Sequence, residues 1–407
     1  MKLGLISFHN AANYGAAMQA YGLQAFLEKN GYDCEYLDYV NWSRKAEYSM
    51  SDHIIRCLKK GALVQACKYA VGTPFMELRK YRFHKFYKKY LKVSPQTYTT
   101  AEEAKAWEPL YDKFIVGSDQ VWCPENNGSD TAFLLSFVKD ENKKMSYSSS
   151  FGKDVLPEEL KADYAECLKS MKHLSTREQF GVDMIKELAD RDATLVMDPV
   201  FLLTAEDWEE LIPCKNNEKF LFSYTNTASQ LPMFLKKTNY PLDGKRIYKL
   251  SSQTSPSDFV NSKVKVMYTM APATFLQSIH DAEFVVTASF HCLAFSILFH
   301  KPFAVMLSGN GGKTGRLSTL LEHFGLTDRV VTDKTTLADL QKPIDWEYVD
   351  KVLEEKRKES IKYLLSSLSD SNWGGGILWI DDDGLRIRGY IPNPHVADPV
   401  REGRAAA

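Results

Sequence analysis

Short apolar segments alternate with helical patterns along most of this chain, and this alternation limits the fold more than any other feature. Near the start, an apolar run at Lys2–Phe8 leads through the polar loop His9–Tyr14 into a helical pattern at Gly15–Leu27, and a second apolar run follows at Cys34–Tyr39. A helix between two such strands is the βαβ unit of parallel sheets. The sequence therefore predicts an α/β fold.

The alternation continues in two series, which predict two sheets. In the first series the further strands are predicted at Lys113–Val116, Met145–Ser150, His173–Thr176 and Thr194–Met197, with helices at Pro157–Met171 and Glu178–Asp190. In the second series the strands are predicted at Lys219–Tyr224, Arg246–Leu250, Val264–Tyr268, Phe284–Thr287 and Phe303–Leu307, with helices at Ala273–His280, Cys292–Phe299, Arg316–Phe324 and Trp346–Leu368. We therefore predict two Rossmann-like domains, at 1–210 and 211–345, followed by a closing helix at 346–372. The carboxyl ends of both sheets should face a cleft between the domains, where a ligand would bind.

Length and charge narrow the class of protein further. The 407 residues correspond to about two to three domains of roughly 150 residues each. The 51 Lys and Arg nearly balance the 52 Asp and Glu, so the protein as a whole has no electrostatic attraction to nucleic acid. No apolar run has the length of a signal peptide or of a membrane span, and the expected location is cytoplasmic.

The cysteines are scattered, and none belongs to a CxxC pair. This spacing argues against a disulfide framework and against a thiolate zinc site, and no other metal-ligand cluster is visible. We therefore predict neither a metal nor an organic cofactor. We expect each cysteine to be a small buried hydrophobe in a reducing compartment. The seven are Cys34, Cys57, Cys67, Cys123, Cys167, Cys214 and Cys292.

Two regions depart from the alternation. Asp52–Lys92 is rich in Lys, Arg and aromatic residues and has almost no acids. It is interpreted either as a pair of amphipathic helices with a solvated basic face, or as a surface that docks an anionic glycan, a lipid-linked substrate or the inner face of the membrane. The segment 373–407 continues neither the βα alternation nor a core face, and we predict it to be an appended tail.

Small and polar residues follow several predicted strands. The loop after the first strand opens a helix, whose N–H groups favour an anion, although a helix cap by Asn13 is the other interpretation. The segments Gly117–Trp122 and Ser146–Lys153 offer hydroxyls that suit the oxygens of a ligand or simply cap a turn. The ligand-binding residues predicted in these three loops are Asn13, Tyr14, Gly15, Ser118, Asp119, Gln120, Ser148 and Ser149.

A lone arginine lies at a strand-to-helix junction. The planar guanidinium of Arg177 suits a carboxylate or a phosphate, while a salt bridge to Glu178 or Asp198 is the alternative. From chemistry alone the salt bridge is somewhat favoured.

A histidine and two cations follow strands of the second series. His291 opens a helix, where the neighbouring N–H groups favour a neutral imidazole that exchanges protons near neutral pH; a structural histidine is the alternative. The glycine-rich segment 308–316 lacks the spacing of a phosphate loop. Its Lys313 and Arg316 are nevertheless candidates to neutralise a phosphate, with a flexible loop as the alternative.

In their order along the chain, these segments resemble the polysaccharide pyruvyl transferase family. The matching motifs are Asn13–Tyr21, Gly117–Trp122, Ser146–Gly152, Ser175–Glu178, Asp198–Val200, Ser289–His291 and Gly315–Leu317. The resemblance covers about residues 1–365 and says nothing about the tail. It implies a fold similar to the glycosyltransferase-B arrangement of two Rossmann-like domains.

The resemblance also implies a reaction. Family members transfer the pyruvyl group of phosphoenolpyruvate to two hydroxyls of one sugar as a cyclic ketal, in cell-surface or exopolysaccharide biosynthesis. The implied partners are phosphoenolpyruvate and a sugar, oligosaccharide or lipid-linked saccharide. The implied catalytic residues are Arg177, which would hold the donor, and His291, which would supply a proton. Many members have an arginine two residues before that histidine. This chain has Ser289, which is a predicted substrate-binding residue, so Lys313 and Arg316 are the expected cations for the donor phosphate.

Two other classes of function fit the same architecture, because fold does not fix function. One is a nucleotide-sugar-dependent glycosyltransferase, which would bind a nucleotide-sugar and ignore phosphoenolpyruvate. The other is a non-catalytic glycan-binding relative, for which Ser289 in place of a cation is the only sign in the sequence.

Overall fold

Fourteen strands are present in the part of the chain that the structure describes. The computed structural model describes residues 1–41, 50–59, 61–214, 218–251, 261–307, 315–369, 377–380 and 387–391. In chain order the strands are β1 (Lys2–Ile6), β2 (Asp33–Tyr39), β3 (Val93–Tyr98), β4 (Lys113–Val116), β5 (Lys144–Ser146), β6 (Ser175–Thr176), β7 (Thr194–Leu195), β8 (Phe220–Thr225), β9 (Arg246–Ser251), β10 (Val264–Val266), β11 (Phe284–Thr287), β12 (Phe303–Val305), β13 (Ile377–Ile380) and β14 (Ile387–Ile391).

Ten of these strands form two five-stranded sheets with the same topology, and β6 and β7 pair in parallel as a separate two-stranded sheet. The first has the order β3-β2-β1-β4-β5 and the second β10-β9-β8-β11-β12, and all neighbouring strands in both are parallel. In each sheet the direction of winding reverses at the central strands, β1/β4 and β8/β11, and ligands of Rossmann-like sheets bind at such a reversal. The predicted α/β class with two Rossmann-like sheets is confirmed.

Helices connect the strands of both sheets. They are α1 (Tyr14–Lys29), α2 (Met50–Lys59), α3 (Leu63–Tyr90), α4 (Ala101–Ala104), α5 (Pro124–Asn127), α6 (Lys161–Lys169), α7 (Gln179–Ala189), α8 (Ala205–Glu209), α9 (Gln230–Thr238), α10 (Pro272–His280), α11 (Phe290–Leu298), α12 (Arg316–His323), α13 (Leu337–Gln341) and α14 (Trp346–Ser369). The basic region 52–92 accordingly contains the helices α2 and α3, and the side chains of residues 52, 53, 60, 64–66, 68, 69 and 71 lie outside the described part.

Some predicted elements are shorter in the structure. The strand predicted at Met145–Ser150 ends at Ser146, because Ser148 takes a left-handed backbone conformation with φ of 58° and turns the chain out of the sheet. The helix predicted from Pro157 begins at Lys161, after a single 3₁₀ turn. Both changes lengthen the loop that connects β5 to α6 at the carboxyl edge of the first sheet.

The first sheet, the second sheet and the last long helix share one apolar core. Leu5 of β1, Phe222 of β8 and Leu364 of α14 belong to the same cluster of buried side chains. Burying each such side chain stabilises the fold by roughly 1.5–3 kcal/mol. The two sheets are also linked by Tyr14, whose hydroxyl donates to the carbonyl of Met270 at 2.8 Å and whose ring stacks on Phe275.

Helix α14 returns from the second sheet to pack on the first half of the chain. Arg357 donates to the carbonyl of Phe201 at 2.6 Å, the backbone N–H of Met197 donates to Ser360 at 2.9 Å, and Tyr363 donates to the carbonyl of Ser146 at 3.0 Å. The helix therefore lies beside the ends of β5 and β7, where it adds side chains to the loops there.

Several other expectations have different outcomes. All seven cysteines are free, but the prediction that each is buried is wrong, since Cys67 and Cys214 are exposed and Cys57 and Cys167 are partly exposed. In the predicted tail, β13 and β14 pair antiparallel, and the rest of 373–407 lies outside the described residues. Among the helices that the structure describes, none has the length and apolarity to cross a bilayer. The domain limits at 210 and 345 stay predictions.

Candidate anion-binding site

The carboxylate of Asp198 contacts side chains that follow several different strands. Its Oδ2 accepts hydrogen bonds from Arg177 Nη1 at 2.6 Å and from Ser118 Oγ at 2.8 Å, and it lies 3.5 Å from His291 Nε2. Its Oδ1 accepts from the backbone N–H of Val200 at 3.2 Å. These residues follow β4, β6, β7 and β11, so one carboxylate oxygen links the carboxyl edges of both sheets.

The charge of this carboxylate is stabilised by its partners. Burial alone would raise the pKa of Asp198, but the opposing influence of His291 and Arg177, together with the hydrogen bond from Val200, holds that pKa well below its ordinary value. Asp198 is therefore a fixed negative charge that orients both cationic groups.

Arg177 is almost completely enclosed and already pairs with acids. In addition to Asp198, its Nε contacts Glu178 Oε1 at 3.1 Å and its Nη2 lies 3.6 Å from Asp119 Oδ1, and its guanidinium lies over the ring of Phe290. Burial would lower the pKa of Arg177, but the three carboxylates raise it above its ordinary value. The salt-bridge interpretation of Arg177 is therefore what the structure shows, with both Glu178 and Asp198 as partners. Only its buried Nη2 has no hydrogen-bond partner.

The imidazole of His291 lies between Asp198 and the first turn of α1. Its Nε2 is buried and has no hydrogen bond in the described part of the protein, although it faces the Asp198 carboxylate. Its Nδ1 packs against Gly15, and a Cβ placed there would lie 2.1 Å from this nitrogen. From the sequence, we predicted that helix N–H groups lie beside this ring. In the structure a carboxylate also faces it, so an imidazolium here would be paired with a negative charge.

A Gly15→Ala variant tests whether this contact positions the imidazole. Because the added methyl group overlaps the ring, we expect the free energy of unfolding to fall by about 1–3 kcal/mol, the usual effect of overpacking. Urea unfolding measures it. Gly117→Ala is the matched control, because its Cβ would meet its nearest atom at an ordinary 3.4 Å. In a His291→Ala background the Gly15→Ala effect should disappear; if it persists, the His291 contact is not its cause.

Arg316, the first residue of α12, is the cation beside Arg177 without an acidic partner. Among the described residues no carboxylate forms an ion pair with its guanidinium, although Glu178, Asp119 and Asp198 are near enough to act on its pKa. With the amide of Gln120 oriented so that its oxygen faces Arg316, that oxygen accepts from Nη2 at 2.7 Å and from Nη1 at 3.1 Å. Burial and the nearby Arg177 both lower the pKa of Arg316. A bound anion would offset the repulsion between the guanidinium groups of Arg177 and Arg316.

Arg177 and Arg316 line one cavity at the carboxyl edges of the sheets. Phe290, Glu178 and Asp198 line it too, and α14 contributes Lys356 and Glu359. The cavity has a volume of about 140 Å³, and a single water needs roughly 10–15 Å³, so a small metabolite fits. The cavity is suited to an anion, because its Arg316 has only the neutral amide of Gln120 as a partner and Arg177 Nη2 makes no hydrogen bond.

The other predicted binding residues mostly serve the framework. Asn13 caps α1 by accepting from the N–H of Ala16 at 3.1 Å, and Tyr14 is fully buried with its hydroxyl bound to Met270. Ser149 donates to the carbonyls of Val116 and Gly117, and Ser289 caps α11. Ser148 lies 3.4 Å from Ser118 Oγ, beside the cluster, but is buried. Lys313 lies outside the described residues.

Two strained backbone positions lie next to the cluster. Asp119 has φ of 73° and Ser148 has φ of 58°, and neither is a glycine. Such conformations are unfavourable for residues with a side chain and are often found at functional sites. Here they let Asp119 face Arg177 and bring Ser148 to Ser118.

Sequence reasoning missed two contributors to the cavity. Phe290 covers the guanidinium of Arg177, and its position directly before His291 was the available signal. Lys356 comes from α14, far along the chain, and no local pattern could place it there. In the sequence, Asp198 belonged to a family motif and was an alternative partner of Arg177, whereas in the structure it also lies 3.5 Å from His291 Nε2.

Taken together, the fold and cavity define an α/β protein with two Rossmann-like sheets and a cavity at their carboxyl edges that is lined by both cations and carboxylates. A family model described as polysaccharide pyruvyl transferase matches residues 13–310, well over half of the chain. The chain therefore belongs to the polysaccharide pyruvyl transferase family, a family of transferases. A comparison with curated protein sequences finds no match.

Similar solved structures include two epimerases. The UDP-GlcNAc 2-epimerase of Neisseria meningitidis, bound to UDP-GlcNAc, is 9% identical with a TM-score of 0.46, over 90% of this chain and 100% of that one. The UDP-N-acetylglucosamine 2-epimerase of Rickettsia bellii is 8% identical with a TM-score of 0.47, over 92% and 99%. The family assignment does not depend on either.

Proposed function

We propose that this protein transfers the pyruvyl group of phosphoenolpyruvate to two hydroxyls of a sugar as a cyclic ketal. The observation that carries the proposal is the pair Arg177 and Arg316, which line one cavity while His291 shares the carboxylate of Asp198 with Arg177. Phosphoenolpyruvate is small and has a carboxylate and a phosphate, so it suits two neighbouring guanidinium groups.

The contacts assign different tasks to the two arginines. Arg316 has no acidic partner, so it binds the phosphate or the carboxylate of the donor, with Lys356 as a second cation at the cavity. Arg177 acts mainly as a positioning residue, because two of its three guanidinium nitrogens hold Asp198 and Glu178. Its Nη2 lies 3.6 Å from Asp119 Oδ1 but makes no hydrogen bond, so it is the nitrogen of Arg177 with hydrogen-bonding capacity left for the donor. Arg316 thus takes the role of the arginine that Ser289 replaces.

The reaction then needs one positioned acid. A sugar hydroxyl forms a bond to the enol carbon while imidazolium His291 protonates the methylene carbon, which becomes a methyl group. The second hydroxyl bonds to the same carbon as the carbon–oxygen bond to phosphate breaks. One hydroxyl proton replaces the proton that His291 gave, and the other leaves with phosphate, so atoms and charges balance. Asp198 holds the ring during both steps.

Ligand-dependent melting tests the proposal. A ligand at a hundred times its Kd stabilises the folded state by about 2.7 kcal/mol. Phosphoenolpyruvate should therefore raise the melting temperature of the wild type, and UDP-GlcNAc should not. Arg316→Met should remove the shift, while Arg246→Met, an exposed arginine of the second sheet, should keep it.

The outcomes separate the three classes of function. A shift with the nucleotide-sugar alone would support a glycosyltransferase and contradict the proposal. A shift with neither ligand would support a non-catalytic glycan-binding protein. Either result would leave the assignment to the family intact, because that assignment rests on sequence.

A further inference from the structure

Helix α3 has an exposed apolar stripe opposite its core face. Its core face contains Phe83, Phe86 and Tyr87, which are buried. On the opposite side, positions spaced by three or four residues are all exposed, and we call these positions the outer stripe. The outer stripe consists of Leu63, Cys67, Ala70, Pro74, Leu78 and Tyr81. Because this spacing follows one side of a helix, the six residues form a continuous apolar band.

Exposed apolar side chains are concentrated in this part of the molecule. Ten large hydrophobic side chains are exposed among the described residues. Six of these ten lie between residues 55 and 81. On α3, Leu63 is 64% and Tyr81 is 62% exposed; on α2, Ile55 is 50% and Leu58 is 51% exposed. Scattered exposure needs no explanation, but such a cluster marks an interaction surface.

Positive charge surrounds the apolar band. On the same side of α3, the band continues into the exposed Lys85, Lys88 and Lys89, and α2 adds Arg56 and Lys59. Glu77 is the only acid among the described residues from 54 to 90, and Lys80 pairs with it at 2.7 Å. The surface therefore combines exposed apolar side chains with an uncompensated positive charge.

Two arginines of α3 do not contribute to this charge, because they point to the protein. Arg79 donates to the carbonyl of Ala12 at 2.9 Å, and Arg82 binds Thr269. The bond from Arg79 and that from Tyr87 to the carbonyl of Ala11 fix α3 to the loop before α1, and Arg82 fixes it to the segment before α10. The helix is thereby held with its outer stripe toward solvent.

We propose that α2 and α3 lie on an anionic lipid bilayer. A bilayer offers both kinds of contact at once, since lysines attract its anionic headgroups while Leu78, Tyr81 and their neighbours enter the boundary with the acyl chains. A second copy of this chain fits less well, because a symmetric pair would bring one set of lysines against the other. An anionic bilayer therefore complements both the positive charge and the exposed apolar side chains of this surface.

Flotation with lipid vesicles tests the proposal, and its readout does not depend on any enzymatic activity. The full chain should float with vesicles that contain phosphatidylglycerol and not with vesicles of phosphatidylcholine alone. Binding to the anionic vesicles should weaken strongly at 1 M salt, where the Debye length is about 3 Å.

Variants identify the surface. Reversing Lys85, Lys88 and Lys89 to Glu should weaken binding roughly a hundredfold, whereas Lys351→Glu on the exposed side of α14 should not change it. Tyr81→Ser should also weaken binding, whereas Tyr348→Ser, a tyrosine 51% exposed elsewhere, should not. All these side chains are exposed, so the variants should fold.

Three results would overturn the proposal. Equal flotation with neutral vesicles would remove the role of charge, and unchanged flotation of the Tyr81→Ser and lysine variants would place any binding elsewhere. A concentration-dependent dimer in light scattering that Tyr81→Ser abolishes would assign the outer stripe to a second copy instead. None of these results bears on phosphoenolpyruvate binding, so this proposal and the proposed function can fail independently.

Discussion

The His291→Ala variant should fold as the wild type does and lose on the order of 10²–10⁴ in turnover with phosphoenolpyruvate. The expected loss is that of a positioned acid, because the methylene carbon gains its proton from the imidazole. Asp198 lies 3.5 Å from Nε2 and Gly15 packs against Nδ1, so no other side chain would replace the ring in this place. Release of inorganic phosphate at saturating donor and acceptor measures the effect.

His300→Ala is the matched control for this variant. His300 pairs with Asp350 at 2.7 Å, is 43% exposed and has no contact with the Asp198 cluster. It should keep wild-type turnover. A second variant, His291→Gln, keeps most of the volume of the ring and should lose turnover as well. Wild-type turnover in both His291 variants, with unchanged circular dichroism, would remove His291 from the reaction.

The Arg177→Met variant should lose about 3–5 kcal/mol of unfolding free energy, because it leaves buried carboxylates without their cation. Asp198 and Glu178 are 1% and 2% exposed, so water cannot replace the guanidinium. Urea unfolding measures the loss. The variant also releases Asp198, and we therefore expect weaker placement of His291 as well.

Neutralising Asp198 in the same variant distinguishes the loss of a charge partner from a simple packing defect. The double variant Arg177→Met/Asp198→Asn removes one of the stranded charges and should recover part of the stability. Lys153→Met, which breaks the exposed pair with Glu125, should have little effect. If Arg177→Met unfolds at the same urea concentration as the wild type, the buried ion cluster does not stabilise this fold.

Much of the fold could be predicted because its strands are apolar and short. The strands Lys113–Val116 and Phe284–Thr287 have the bounds that the sequence predicted, since every residue in them is buried and polar or small residues follow. Strand β3 was missed because it is an edge strand with a Pro and with three exposed residues in succession, so neither apolar continuity nor alternation marks it.

The sequence predicted the candidate site only in part, because a sequence does not show which side chains are buried or which distant segments pack together. The meeting of Arg177 and His291 at Asp198 follows from topology, because both residues come shortly after strands, at whose carboxyl ends the ligand sites of such sheets form. The sequence could not show that the hydroxyl of Tyr14 turns into the core to bind Met270, which makes it unavailable to a ligand. Nor could it place Lys356, since its position depends on α14 packing back beside β5 and β7.

Mass spectrometry of acceptor sugars incubated with phosphoenolpyruvate tests the central claim most directly. We predict that a saccharide with two suitably placed hydroxyls gains the mass of one pyruvyl ketal, and that one inorganic phosphate is released for each ketal formed. Arg316→Met and His291→Ala should form neither product. A saccharide that instead gains a sugar unit from a nucleotide-sugar, with phosphoenolpyruvate untouched, would contradict the account.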